Sequence, residues 1–288
     1  MLKAALWFVF SLLISISNDS CVKYIANYLP STQIIFLRFA LSALLLLPFV
    51  IKKRLLVNKV AFLQMFFRGA ITALAMLLWC KGLKEEFLVS ATIIGFIIPF
   101  LVLMMSRVLL NEELKLGRVV ISSIAFIGVL IAHYSNDNNN IHFNHYLILA
   151  AVIFAFIDIL NKKYINHVAI LVTMFYVFLG ASLISFFPAI IEWEQVSTNI
   201  IFPMIILILG TNLILFALLK SMTTLEASLT APLRFIELLF SIGFGAVFFD
   251  ETPSFNMILG GIIVISSLII YTLQEIQKKK ILSVKKSD

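Results

Sequence analysis

The chain has 288 residues, of which 61% are hydrophobic and only 13% charged, and its mean hydropathy is +1.06. A soluble domain carries about 25% charged residues, and even one with a large core needs a polar exterior, so this composition belongs in lipid. The net charge of +7 excludes little by itself. Its carriers, however, form short clusters between apolar runs (Lys52, Lys53, Arg54 and Lys59; Lys278, Lys279, Lys280, Lys285 and Lys286) rather than a basic face, which argues against nucleic acid as a partner.

A helix needs about 20 residues to cross the hydrocarbon. On that ruler the spans fall at 4–26, 33–51, 60–80, 88–109, 118–135, 145–164, 168–190, 200–219, 227–249 and 255–273. The first run starts like a signal peptide, but it continues too far, carries Asn18-Asp19 late and lacks a small-x-small cleavage site. It reads as an uncleaved first helix. Pro30-Ser31-Thr32, Glu192–Asn199 and Thr252-Pro253-Ser254 mark turns, and the Asn-rich connection Ser135–His145 divides the chain nearly in half. With the N-terminus inside, Lys3, the Lys52–Lys59 cluster, Lys115, Arg118, Lys162, Lys163, Lys220 and the basic tail share one side. Only Lys23, Lys81 and Lys84 lie on the other. That asymmetry predicts a multi-pass membrane protein with both termini cytoplasmic.

The expected fold is therefore an all-α membrane protein of ten transmembrane helices, built as two inverted five-helix repeats over 1–137 and 143–275, with a cytoplasmic tail at 276–288. Two motif pairs support the duplication. Asn18-x-x-x-x-Lys23-Tyr24-Ile25 matches Asp158-x-x-x-x-Lys163-Tyr164-Ile165, and Asn111-Glu112 after the fourth helix matches Asp250-Glu251 after the ninth. Five is odd, so the second half is upside down, an arrangement typical of secondary transporters.

Ionisable groups inside a bilayer face a cavity or each other. Asp19, Arg38, Arg68, Asp158, Arg234 and Glu237 are the candidates, the alternative for each being an ion pair that only holds helices together. Arg234 and Glu237 are three apart and share a helix face beside Pro232, so they could bridge each other or flank a kinked binding site. Asn18-Asp19 and Arg38 lie on helices joined by a tight loop. Asp19 could meet a cation, and Arg38 could hold a carboxylate in a bidentate fork. Trp79 and Tyr176 are interfacial residues by default and stacking surfaces otherwise. The candidate substrate-binding set is Asn18, Asp19, Arg38, Trp79, Asp158, Tyr176, Arg234 and Glu237. Cys21 and Cys80 give neither metal spacing nor a disulfide framework, and His133, His142, His145 and His167 match no metal site. No Walker loop and no pairing of base and nucleophile is present, so neither an enzyme nor a cofactor is expected.

The halves with caps Asn111-Glu112 and Asp250-Glu251 resemble the EamA family of the drug/metabolite transporter superfamily. Ser17-Asn18-Asp19…Lys23-Tyr24, Phe36-Leu37-Arg38-Phe39…Leu47-Pro48-Phe49-Val50, Asp158-Ile159-Leu160-Asn161-Lys162-Lys163 and Thr230-Ala231-Pro232-Leu233-Arg234-Phe235-Ile236-Glu237-Leu238 resemble the S-adenosylmethionine uptake transporters of obligate intracellular bacteria. That resemblance implies a ten-helix inner-membrane carrier importing S-adenosylmethionine, with exchange for S-adenosylhomocysteine as one coupling mode. The partners are then a small molecule and the lipid bilayer; a homodimer is left open. The alternative on the same fold is an exporter of amino acids, nucleosides or drugs, proton-coupled through Asp158 or Glu237.

Overall fold

The computed structural model describes residues 2–52, 58–86, 88–133, 144–165, 168–248, 255–256, 258–267 and 269–270. These residues are helical throughout apart from connections. In order they form α1 (Leu2–Ile25), α2 (Ser31–Lys52), α3 (Lys59–Glu85), α4 (Leu88–Gly95), α5 (Ile97–Leu109), α6 (Leu116–His133), α7 (His145–Tyr164), α8 (Ile170–Ile191), α9 (Ile201–Met222), α10 (Ala227–Arg234) and α11 (Ile236–Phe248). A helical stretch, Ile258–Ser267, follows. Seven helical segments among the described residues are long and apolar enough to cross a membrane, and Ile97–Leu109, Leu116–Ile131 and Ile258–Ser267 are shorter apolar helices. The Asp250-Glu251 motif, the turn at 252–254, His142, His167, most of the Asn-rich connection and the basic tail lie outside the described residues.

The burial pattern is that of a protein solvated by hydrocarbon. Leu44, Phe49, Phe67, Phe187 and Phe202 are exposed, whereas Arg38, Arg68, Arg118, Asp158 and Asn161 are buried. A water-soluble fold shows the reverse. Local signals set the helix starts. Asn58 accepts from the Ala61 amide at 2.8 Å ahead of α3, and Asn144 accepts from the amides of Tyr146 and Leu147 at 3.0 and 3.3 Å ahead of α7.

Two expected single spans, 88–109 and 227–249, are each interrupted. The breaks fall at Phe96, between α4 and α5, and at Phe235, between α10 and α11. Pro99 cannot donate to the Gly95 carbonyl, and Pro232 cannot donate to that of Ser228. Around Phe235 the chain tightens, with Phe235 N on Pro232 O at 3.4 Å and Leu238 N on Phe235 O at 3.2 Å. The Phe96 and Phe235 rings stack at 5.1 Å and 29°.

A single shift of 139 residues carries α4 onto α10 and α5 onto α11 at both ends, and α2 onto α8 likewise. The shift differs by one residue from the register in which the two motifs were paired. Asp158 corresponds to Asp19 rather than Asn18, and Lys162 to Lys23. The lysines behave alike: Lys23 donates to Glu86 O at 3.0 Å, and Lys162 to Leu225 O, the shifted position, at 2.5 Å.

Glycine permits a close crossing of α3 and α8. A Cβ on Gly69 of α3 would lie 2.2 Å from Val177 O of α8, and one on Gly180 of α8 would lie 2.7 Å from Phe66 O of α3. Backbone meets backbone here, as small residues allow in membranes.

At the end of the bundle that carries Lys115, Lys162 and Lys220, helices are tied by charge. Asn111 takes φ 55°, a left-handed conformation that asparagine tolerates, and so ends α5. Glu112 then reaches α10, accepting from Ala227 N at 2.8 Å, Ser228 N at 2.9 Å and Ser228 Oγ at 2.7 Å. Glu226, the N-cap residue itself, supplies no side-chain cap. Its carboxylate instead pairs with Arg118 at 2.5 Å. Partial burial pushes that carboxyl up, but the hydrogen bond and charge of Arg118 outweigh it and hold it below the usual glutamate range. Replacing Glu112 by Ala removes the cap of α10 and should cost about 1–2 kcal/mol, read as a lower unfolding midpoint. An unchanged midpoint would show that water caps α10 equally well. At the opposite end Gln33 exchanges two 2.9 Å hydrogen bonds with the Glu194 backbone, and Thr32 donates to Glu192 at 2.7 Å.

Candidate substrate cavity

An internal cavity of about 200 Å³ lies among α1, α2, α3, α7, α8, α9 and the interrupted helices. Seven of the eight sequence candidates line it: Asn18, Asp19, Arg38, Trp79, Asp158, Arg234 and Glu237. Tyr176 does not. Its ring packs edge-on against Phe62 at 5.5 Å and Phe175 at 5.2 Å.

The charged residues are unequally satisfied. Arg234 is bound to Asp158. The i, i+3 bridge from Arg234 to Glu237 that the sequence allowed is not formed, because the helix is interrupted between them at Phe235 and the guanidinium reaches α7 instead. Glu237 and Asp19 have no ion pair among the described residues. Asp19 Oδ1 accepts from the indole N–H of Trp79 at 3.1 Å, and the Trp79 ring meets Phe154 edge-on at 5.9 Å. Arg38 donates from Nε to Thr211 Oγ1 at 2.6 Å, while its Nη1 is buried without a hydrogen-bond partner among the described residues. An unpartnered guanidinium nitrogen in the wall of a cavity is a vacancy for an oxygen acceptor.

Asn18 and Arg68 hold helices together. Asn18 Nδ2 donates to Leu207 O at 3.2 Å and Thr211 Oγ1 at 3.3 Å, which ties α1 to α9. Its amide lies over Gly210, where a Cβ would come within 2.0 Å of Asn18 Oδ1. Arg68, inside α3 and buried, bonds to Asn161 of α7. The sequence reading missed Thr211, Asn161, Thr72 and Thr92, all of which line the cavity. A signal existed for the first two: Thr211-Asn212 interrupts an otherwise apolar helix, and Asn161 follows Asp158 by three residues and so shares its face.

Three carboxylates and two guanidiniums face the cavity, so its formal charge is one negative. Aromatic rings, Trp79, Phe154, Phe39 and Phe178, supply much of the remaining wall, and Phe39 and Phe178 stack at 5.8 Å and 30°. Such a cavity suits a small cationic molecule with a carboxylate and a flat apolar part. A cavity holding a drug-sized ligand usually measures about 300–1,000 Å³, so this one must widen to take such a molecule.

The S-adenosylmethionine uptake transporter of Rickettsia bellii is 33% identical over 96% of this chain and 96% of its own length. That of Rickettsia prowazekii is 33% identical over 94% of this chain and 93% of its own. A pseudopaline exporter of Pseudomonas aeruginosa is 22% identical over 87% of this chain and 89% of its own. A crystal structure at 14% identity superposes with a TM-score of 0.74, covering 94% of this chain and 96% of that one, which shows a shared fold. The model of the EamA-like transporter family matches residues 2–134 and 144–273. The chain is a multi-pass membrane protein, and it belongs to the EamA-like transporter family.

Proposed function

We propose that this protein is a secondary carrier that imports S-adenosylmethionine across the bacterial inner membrane by alternating access. Its ten transmembrane helices form two inverted five-helix halves, and both termini are cytoplasmic. The lysine and arginine asymmetry supports that orientation, and the constant 139-residue shift between helix bounds supports the duplication.

The observation that carries the cargo assignment is the match between the cavity and that molecule. S-adenosylmethionine has a sulfonium, an ammonium, a carboxylate and an adenine, and is a net monocation at neutral pH. Asp19 and Glu237 offer carboxylates with no ion pair among the described residues, and Arg38 offers a buried N–H without a partner. Arg234 already carries the Asp158 carboxylate on Nη2, though its Nε has no partner, whereas Arg38 has no carboxylate among the described residues and is the better seat for the substrate carboxylate. A zwitterionic amino acid would leave the cavity one negative charge in excess; S-adenosylmethionine neutralises it. The Rickettsia relatives are named for this cargo, whereas the exporter among the relatives is more distant.

The deciding test is uptake of radiolabelled S-adenosylmethionine into bacteria expressing the chain. Saturable uptake, blocked by S-adenosylhomocysteine and not by methionine, is the expected result. No uptake above empty vector, with the protein shown in the membrane, would overturn the cargo and favour export of another metabolite. Replacing Arg38 by Gln should raise the KM for S-adenosylmethionine about ten- to a hundredfold, the worth of a charge-assisted hydrogen bond pair. Decarboxylated S-adenosylmethionine should compete equally well against either protein. A variant with unchanged KM would remove Arg38 from the site.

A further inference from the structure

The two halves treat their shared aspartate differently. In the second half Asp158 of α7 is neutralised by Arg234, the last residue of α10. The 139-residue shift carries Asp158 back to Asp19 of α1, and Arg234 back to Gly95, the last residue of α4. The first half has therefore kept the carboxylate and lacks the arginine. Trp79 occupies the space. A Cβ on Gly95 would lie 3.2 Å from Cη2 of the Trp79 ring, and the indole N–H sits on Asp19 Oδ1 at 3.1 Å. The indole satisfies one hydrogen bond but carries no charge.

We infer that Asp19, Trp79, Gly95 and Phe154 form an onium site, in which the sulfonium of S-adenosylmethionine stands where the second half has an arginine. This rests on the carrier reading above and names the group that one corner of the cavity reads. A sulfonium has no N–H to donate. It needs negative charge and aromatic faces rather than several acceptors, as other onium ions do in aromatic sites. Asp19 already accepts from Trp79, and Phe154 closes on that ring edge-on at 5.9 Å. An ammonium brings three donors and calls for acceptors without partners. Glu237, with no hydrogen bond or ion pair among the described residues, suits that group better. Gly95 is then a positioning residue: a side chain there would push the Trp79 ring by a few tenths of an ångström.

The test compares S-adenosylmethionine with S-adenosylhomocysteine, which differ by the sulfonium methyl and its charge and share the ammonium, carboxylate and adenine. Affinities of both are measured on purified full-length protein in detergent, for wild type and Asp19→Asn. The variant should lose about tenfold in affinity for S-adenosylmethionine and hold its affinity for S-adenosylhomocysteine within about twofold. An equal loss for both would place the ammonium at Asp19 and overturn the proposal, as would no loss for either. Should wild type bind neither compound, the carrier reading itself fails, and this site with it. If Asp19→Asn does not fold, Trp79→Leu carries the same comparison, since removing the ring should erase the preference for the charged compound. A preference retained in Trp79→Leu would overturn the aromatic half of the site.

Discussion

Arg234→Met should lower the stability of the carrier by about 3–5 kcal/mol, because it leaves the Asp158 carboxylate buried without its counter-charge. The side chains of the pair are only 14% and 6% exposed, so water can do little to replace the lost guanidinium. Adding Asp158→Asn to Arg234→Met should recover most of the loss, since a neutral amide beside a methionine leaves no charge stranded. Unfolding midpoints of the two single variants, the double variant and wild type form the cycle that measures this. Additive losses would mean that the two side chains act independently. The pair joins α7 to α10 in the cavity wall, so the same variants report how far that contact holds these two helices in the observed arrangement.

Gly69→Val should destabilise by about 3 kcal/mol, the upper end of what overpacking usually costs. The added Cβ would lie 2.2 Å from Val177 O and 2.8 Å from Ala181 N, both backbone atoms that cannot rotate away. The helices must separate. Because Thr72, Met76 and Trp79 of α3 and Val177 and Phe178 of α8 line the cavity, a wider crossing also changes the cavity wall. Gly117→Ala is the control, since nothing lies within 4 Å of a Cβ there. It should shift the midpoint by less than about 0.5 kcal/mol. Equal effects at the two positions would contradict the close crossing.

Spans, polar turns and intramembrane charges were legible in the sequence because each is a local property: a run of apolar residues, a proline, an ionisable group where none is cheap. Partners were not. Arg234 has a carboxylate three residues away and takes one 76 residues away instead, a choice that depends on where the helix is interrupted. Tyr176 and Trp79 look alike as aromatic residues in apolar runs, and only the rotation of α8 and α3 turns one toward packing and the other toward the cavity. The motif pairing and the helix bounds differ by one residue because Asn18-Asp19 offers two adjacent polar matches for Asp158. The identical helix bounds decide between them.

Two of the ring stacks join residues that the 139-residue shift exchanges: Phe39 with Phe178 at 5.8 Å, and Phe96 with Phe235 at 5.1 Å. On the two-half reading proposed above, a residue that touches its own counterpart straddles the axis relating the halves. Two such contacts define a line, and that line is where any motion that trades the roles of the halves produces no displacement. Phe39 and Phe178 are also part of the cavity wall. On that reading the cargo is held beside the fulcrum, where it stays in place while the openings on either side alternate.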